Sequence, residues 1–179
     1  MSAAAALVVW MGFCLCPAHA YQEAPILAAR VQAGELPPVD ERLPETPVVV
    51  EPVESIGGYG GTWRRLARSA GDMGLNSRLG YETLVRWDRT GTRVVAGIAE
   101  SWEVNEDATE FTFHLRRGMR WSDGAPYTSA DFLFTHRDME LNRELQPSHT
   151  PWKVINDEVM EVEAPDDYTI VIRFSESYG

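Results

Sequence analysis

At 179 residues the chain has the length of one domain, and its composition, 44% hydrophobic and 24% charged with six Trp, six Tyr and six Phe, is that of a soluble globular protein. Sixteen basic against 27 acidic residues leave a net charge of −11, which opposes binding to nucleic acid or to anionic lipid. Both cysteines, Cys14 and Cys16, lie in the first apolar segment, so a chain that loses that segment has neither a disulfide framework nor a thiol nucleophile.

Residues 3–15 form a nearly unbroken apolar run, short for a membrane-spanning helix. It ends in Pro17-Ala18-His19-Ala20, and Ala18-x-Ala20 is the small-x-small pattern of a signal-peptidase site, predicting cleavage after Ala20 and export to the periplasm. No Lys or Arg precedes the run, so only the α-amino group supplies the positive charge such a leader carries. The next segment, residues 21–60, is a proline-rich arm. Pro25, Ile26, Leu27, Arg30 and Val31 followed by Gly34 predict a short helix with proline in its first turn and glycine past its end. Beyond it Pro37, Pro38, Pro44, Pro47 and Pro52 surround Val48-Val49-Val50 and exclude a long helix or a central strand, leaving an extended segment. The arm either docks on a surface or is a solvated linker.

Residues 61–179 are the third part. The glycines at 57, 58, 60 and 61 lack the Lys-Ser/Thr ending of a phosphate-binding loop. Residues 62–68 suit a strand, and the small and polar residues 69–76 that follow form a loop. A loop held on a rigid strand end is where binding residues tend to sit, which makes Ser69, Asp72 and Asn76 candidate ligand contacts; as ordinary turn formers they read equally well. Residues 81–85 predict a helical turn entering a strand, and Arg89-Thr90-Gly91-Thr92 a hairpin turn before Val94 and Val95.

Residues 99–131 organise the rest. Trp102 and Val104 alternate with charged neighbours up to Asn105-Glu106-Asp107, and Phe111, Phe113 and Leu115 alternate with Thr112 and His114, the pattern of an antiparallel hairpin with one buried face. Ser122-Asp123-Gly124 turns the chain, and Thr128-Ser129-Ala130-Asp131 is a capping-box variant predicting a helix from about Ser129. The ordered run Glu110-Phe111-Thr112-Phe113-His114-Leu115-Arg116-Arg117-Gly118, then Trp121-Ser122-Asp123-Gly124-x-Pro126-x-Thr128-x-x-Asp131-Phe132, resembles the signature of the family 5 extracellular solute-binding proteins, the oligopeptide- and dipeptide-binding components of ABC importers. The resemblance covers about residues 60–178.

In the helix, Phe132, Leu133, His136 and Met139 can share a face, and His136 reads as a satisfied, partly buried histidine rather than a metal ligand. The loop 146–152 ends in Trp152, a further candidate ligand contact, with core anchoring as the other reading. Residues 158–163 and 168–174 alternate on either side of Ala164-Pro165-Asp166-Asp167 and predict a second hairpin.

The resemblance implies an α/β fold, a mixed α+β lobe of periplasmic-binding-protein-like type II in which β-hairpins pack with one or two helices. The chain would correspond to part of the first lobe of a longer protein, monomeric at full length. It further implies a receptor that closes on a peptide or other small solute and docks on the membrane permease of an ABC importer, with family members also taking nickel complexes, opines or oligosaccharides. No catalytic set, metal site or cofactor is expected. The loops at 69–76 and 146–152 would lie at the cleft. A secreted hydrolase is the rival, but no Gly-x-Ser-x-Gly elbow occurs and Asp166-Asp167 reads as turn chemistry. A ligand-free β-rich surface domain is the third reading.

Overall fold

The computed structural model describes residues 21–62, 64, 66, 68–69 and 81–178. The chain divides into two compact units, Met1–Glu41 and Arg42–Gly179. In the first, helix α1 (Pro25–Gln32) begins on proline and ends where Gly34 turns to φ +72°. The Gly34 amide donates to Val31 O at 3.0 Å and the Glu35 amide to Arg30 O at 2.9 Å, a Schellman closure that glycine enters without steric cost. A single helical turn, α2 (Val39–Arg42), follows Pro37-Pro38, where the prolines had pointed to extended chain throughout.

The second unit is built on a four-stranded antiparallel sheet in the order β3-β4-β8-β7. Its strands are β3 (Ala99–Val104), β4 (Glu110–Leu115), β7 (Glu161–Asp166) and β8 (Thr169–Arg173). The register sets Trp102 opposite Phe113 and Phe113 opposite Ile170. In the next row Val104, Phe111, Ile172 and Val162 lie side by side across all four strands. Residues directly opposite share a face, so the alternation puts one apolar sheet face on the core. Phe113, Leu115, Val162 and Ile170 are buried there with Ala99 and Met160. The other face carries Glu110, Glu163 and Arg173, whose guanidinium lies 2.6 Å from both carboxylates.

A smaller hairpin, β1 (Val85–Trp87) and β2 (Val94–Ala96), precedes the sheet. The chain approaches it without the helical turn expected at 81–85; residues 81–83 carry no regular structure. The hairpin is tied to the sheet through Gly97. Its amide and those of Ile98 and Ala99 donate to Leu84 O, Thr83 O and Leu84 O. A Cβ at buried Gly97 would lie 2.3 Å from Thr83 O, so only glycine allows this approach.

Helix α3 (Ser129–Phe134) starts as expected, with the Asp131 carboxylate accepting the Thr128 amide at 2.8 Å. Ser129, 2% exposed, gives its amide to Asp167 O and its hydroxyl to Asp166 O, so the β7–β8 turn and the helix start hold each other. The helix then widens into a π-helical turn (Thr135–Glu140). This rotates the expected apolar face apart: His136 is buried, whereas Met139 is 45% exposed. The expected strand at 158–163 is also divided. A 3-10 turn (Pro151–Lys153) leads into β5 (Val154–Ile155), and Asn156 and Asp157, both at positive φ, return the chain into β6 (Glu158–Val159). Asn and Asp tolerate that conformation, and a two-residue turn of this hand matches strand twist.

Candidate functional site

The apolar sheet face is only partly covered. Tyr127, from the segment before α3, and Phe132 of α3 pack over one side; the rest of the face forms a groove of about 610 Å³. Trp102, Phe111, Phe113 and Ile172 of the sheet face line it, with Glu82, Thr83, Leu84 and Val85 from the chain that enters the first hairpin. Trp152, Phe174 and Tyr178 also line it. These last two rings stack at 4.3 Å between centroids, with Phe111 edge-on to Phe174 at 5.9 Å. A large apolar cavity with a few polar groups on its margin is the common form of a small-molecule site.

Tyr127 brings a phenol to the lining of this groove. Its ring packs edge-on to Trp121 at 5.0 Å and to Phe132 at 6.4 Å. Burial, and then the nearby Asp131 carboxylate, push its phenol up to about 12, so it presents a neutral hydroxyl at neutral pH. Asp131 is fixed in turn, because it accepts the Thr128 amide and the Trp121 indole N–H at 3.2 Å.

Trp152 is 51% exposed and stands on the 3-10 turn that Pro151 initiates. The Lys153 ammonium sits 4.8 Å from its ring centroid and also pairs with Glu140. Glu140 Oε2 lies 3.3 Å from His136 Nδ1, so the histidine read from the sequence as a satisfied one anchors, through Glu140 and Lys153, the turn that carries Trp152. Among the described residues no three His, Cys, Asp or Glu side chains are placed to hold a metal ion. The arrangement offers aromatic surface with the hydroxyls of Thr83, Tyr127 and Tyr178 and the Glu82 carboxylate among its lining, which suit holding a ligand.

Of the four residues singled out from sequence, Trp152 is the one the structure brings to the groove. Ser69 is exposed and is not part of its lining. Asp72 and Asn76 lie outside the described residues. Sequence reasoning missed Trp102 and Tyr127, and gave Phe111 and Phe113 to packing alone. Alternation marks which face is apolar but carries no signal of how much of it stays open.

Residues 93–179 match the family described as bacterial extracellular solute-binding proteins, family 5 Middle. A solved structure of the oligopeptide-binding protein OppA superposes at a TM-score of 0.79 with 46% identity, over 89% of this chain and 25% of that one. The matched stretch, a little under half of the chain, is that of a family 5 extracellular solute-binding protein. The chain's mixed helix-and-sheet fold is thus that of part of a periplasmic-binding-protein-like protein. It is 38% identical over 96 residues to the periplasmic oligopeptide-binding protein OppA of Escherichia coli, covering 45% of this chain and 17% of that protein. It is 28% identical over 169 residues to the periplasmic alpha-galactoside-binding protein of Rhizobium meliloti, covering 83% of this chain and 24% of that protein. The chain therefore spans about a quarter or less of the length of these relatives.

Proposed function

We propose that this chain is part of a periplasmic receptor that binds a peptide and delivers it to the permease of an ABC importer, the solute being held by closure of two lobes. The likeness to an oligopeptide-binding protein at 46% identity over 89% of the chain carries this reading. In it, residues 1–20 are a leader removed after Ala20, 21–60 an arm, and 61–179 the solute-binding part; the full-length protein is a monomer. Trp152 and Tyr127 contact the solute from the groove, and Ser69, Asp72 and Asn76 supply polar contacts from their loop. The side chains act as binders; no group performs bond-making chemistry.

A second reading rests on the long match to an alpha-galactoside-binding protein: an oligosaccharide in place of a peptide, held on the same aromatic surface. Native mass spectrometry after incubation with a tripeptide library and with an α-galactosyl trisaccharide separates the two. Retention of unmodified peptide supports the first, and retention of sugar alone supports the second. Cleaved products would point to a hydrolase, and retention of neither would leave a surface domain without a solute.

A further inference from the structure

The β1–β2 hairpin has two unlike faces. Val85 and Val94 line the apolar groove, while Arg86, Asp88, Arg93 and Val95 line a second cleft on the opposite side. Strand pairing sets Arg86 opposite Val95, which fixes this alternation. The second cleft has a volume of about 930 Å³, and its other wall is the extended chain 47–53. Its lining includes Arg86, Arg89, Arg93 and Arg116 and two acidic residues, Glu51 and Asp88. That is a local excess of positive charge on a chain whose net charge is −11.

The four arginines are not equally engaged. Arg116 is structural: its Nε donates to Gly97 O at 2.8 Å and an Nη to Thr46 O. Arg93 lies 3.5 Å from Asp88. Asp88 is already served by its own turn, accepting the Thr90 amide at 3.2 Å, the Thr90 hydroxyl at 2.9 Å and the Thr92 amide at 3.0 Å. The guanidinium groups of half-buried Arg86 and of exposed Arg89 have no hydrogen-bond or ion-pair partner among the described residues. The facing wall is complementary in another way: Val48, Val49 and Val50 are exposed, and their backbone makes no hydrogen bond among the described residues. An arginine withdrawn from water without a counter-charge is costly, and a planar guanidinium is matched by a carboxylate in two parallel hydrogen bonds.

We propose that this cleft binds a short peptide bearing acidic side chains, its carboxylates on Arg86 and Arg89 and its backbone and apolar atoms along residues 47–53. The volume is that of a small-ligand site, and the extended wall offers unpaired backbone groups to a strand-like ligand. The site is separate from the aromatic groove and does not require the groove to bind anything.

Isothermal titration calorimetry of the chain with tri-glutamate at low ionic strength tests this, with tri-glutamine and inorganic phosphate as parallel titrants. Tri-glutamate is expected to bind, and affinity should fall about tenfold or more in the double variant Arg86→Gln, Arg89→Gln. Because neither guanidinium has a partner among the described residues, the thermal midpoint of that variant should not fall below the parent's. Arg89→Gln alone, on an exposed turn residue, should weaken binding in the same direction. Any heat from tri-glutamine, a tripeptide that the aromatic groove can also take, should be the same for the double variant and the parent. Undiminished tri-glutamate affinity in the double variant, absence of tri-glutamate binding, an equal loss of tri-glutamine affinity in that variant, or phosphate binding more tightly than tri-glutamate would each overturn the proposal.

Discussion

Two substitutions on the same sheet face separate the closed core from the open groove. Leu115 is 1% exposed, and its backbone is pinned by a 2.7 Å hydrogen bond to Tyr168 O. Its neighbours sit on paired strands and cannot collapse inward, so Leu115→Ala loses the transfer energy of the side chain and leaves most of a cavity. That combination costs about 3–4 kcal/mol. Ile172 also faces the core side, but it lines the groove and keeps part of its surface in water. The atoms removed by Ile172→Ala were never fully transferred, and solvent fills the space they leave. With about 0.8 kcal/mol per fully buried methylene as the ceiling, the cost falls to about 1 kcal/mol.

Thermal unfolding followed by far-ultraviolet circular dichroism reads both. For a chain of this length the midpoint should drop by about 10 °C for Leu115→Ala and about 3 °C for Ile172→Ala. Urea midpoints at unchanged slope would confirm that the native state alone is affected. Equal losses would show that the groove is filled in solution, and the reasoning about an open face would fail. A cost under about 1 kcal/mol for Leu115→Ala would remove Leu115 from the core.

Other substitutions test the devices that hold the groove in shape. Asp131→Ala should cost about 1 kcal/mol in urea unfolding through loss of the helix cap, and it should also broaden the Trp121 indole N–H resonance. Gly97→Ala should destabilise the fold and raise amide exchange at Ile98 and Ala99, because the added methyl meets the Thr83 carbonyl at 2.3 Å; unchanged exchange would contradict that approach. In an ultraviolet titration the phenol of Tyr127 should ionise at about 12, a step absent in Tyr127→Phe. Since folding raises this pKa, the linked stability is present below the unfolded value near 10 and is lost as pH rises through 12. Asp88 shifts the other way: the Thr92 amide, then the Thr90 hydroxyl and Arg93, hold its carboxyl well below the usual range. Its contribution is therefore present above about pH 4 and lost as pH falls further. In Asp88→Asn, amide exchange at Thr92 and Arg93 should be faster at neutral pH and lose most of its acid dependence.

The parts of the fold that were legible in the sequence are those in which a local rule and the tertiary contacts agree. Phe111, Phe113 and Leu115 alternate because one sheet face is buried, and Ile170 and Ile172 do the same two strands away. Thr128 to Asp131 announce a helix start because the unpaired amides of a first turn need a nearby acceptor. The π-helical turn after Phe134 was not legible. It follows from no propensity; it sets His136 inward against Glu140 and leaves Phe134 58% exposed. Asn156-Asp157 did carry a signal for a tight turn, hidden because Glu158 to Glu163 alternate so regularly that they read as one strand.

The groove shows the same division more sharply. Phe111 and Phe113 occupy equivalent positions in one alternating strand, and periodicity assigns both to the core. Yet Phe113 is 9% exposed, while Phe111 keeps more of its surface open beside Tyr178 and Phe174. The difference is set by what lies above each ring, a property of chain segments far apart in sequence. Trp152 stood out in the sequence for the complementary reason. A large aromatic at the end of a polar loop has no local hydrophobic partner to explain it, so two readings stayed open, anchoring or contact. The structure shows what bears on that choice: the turn is held by Lys153, Glu140 and His136, leaving half of the indole free to face the groove.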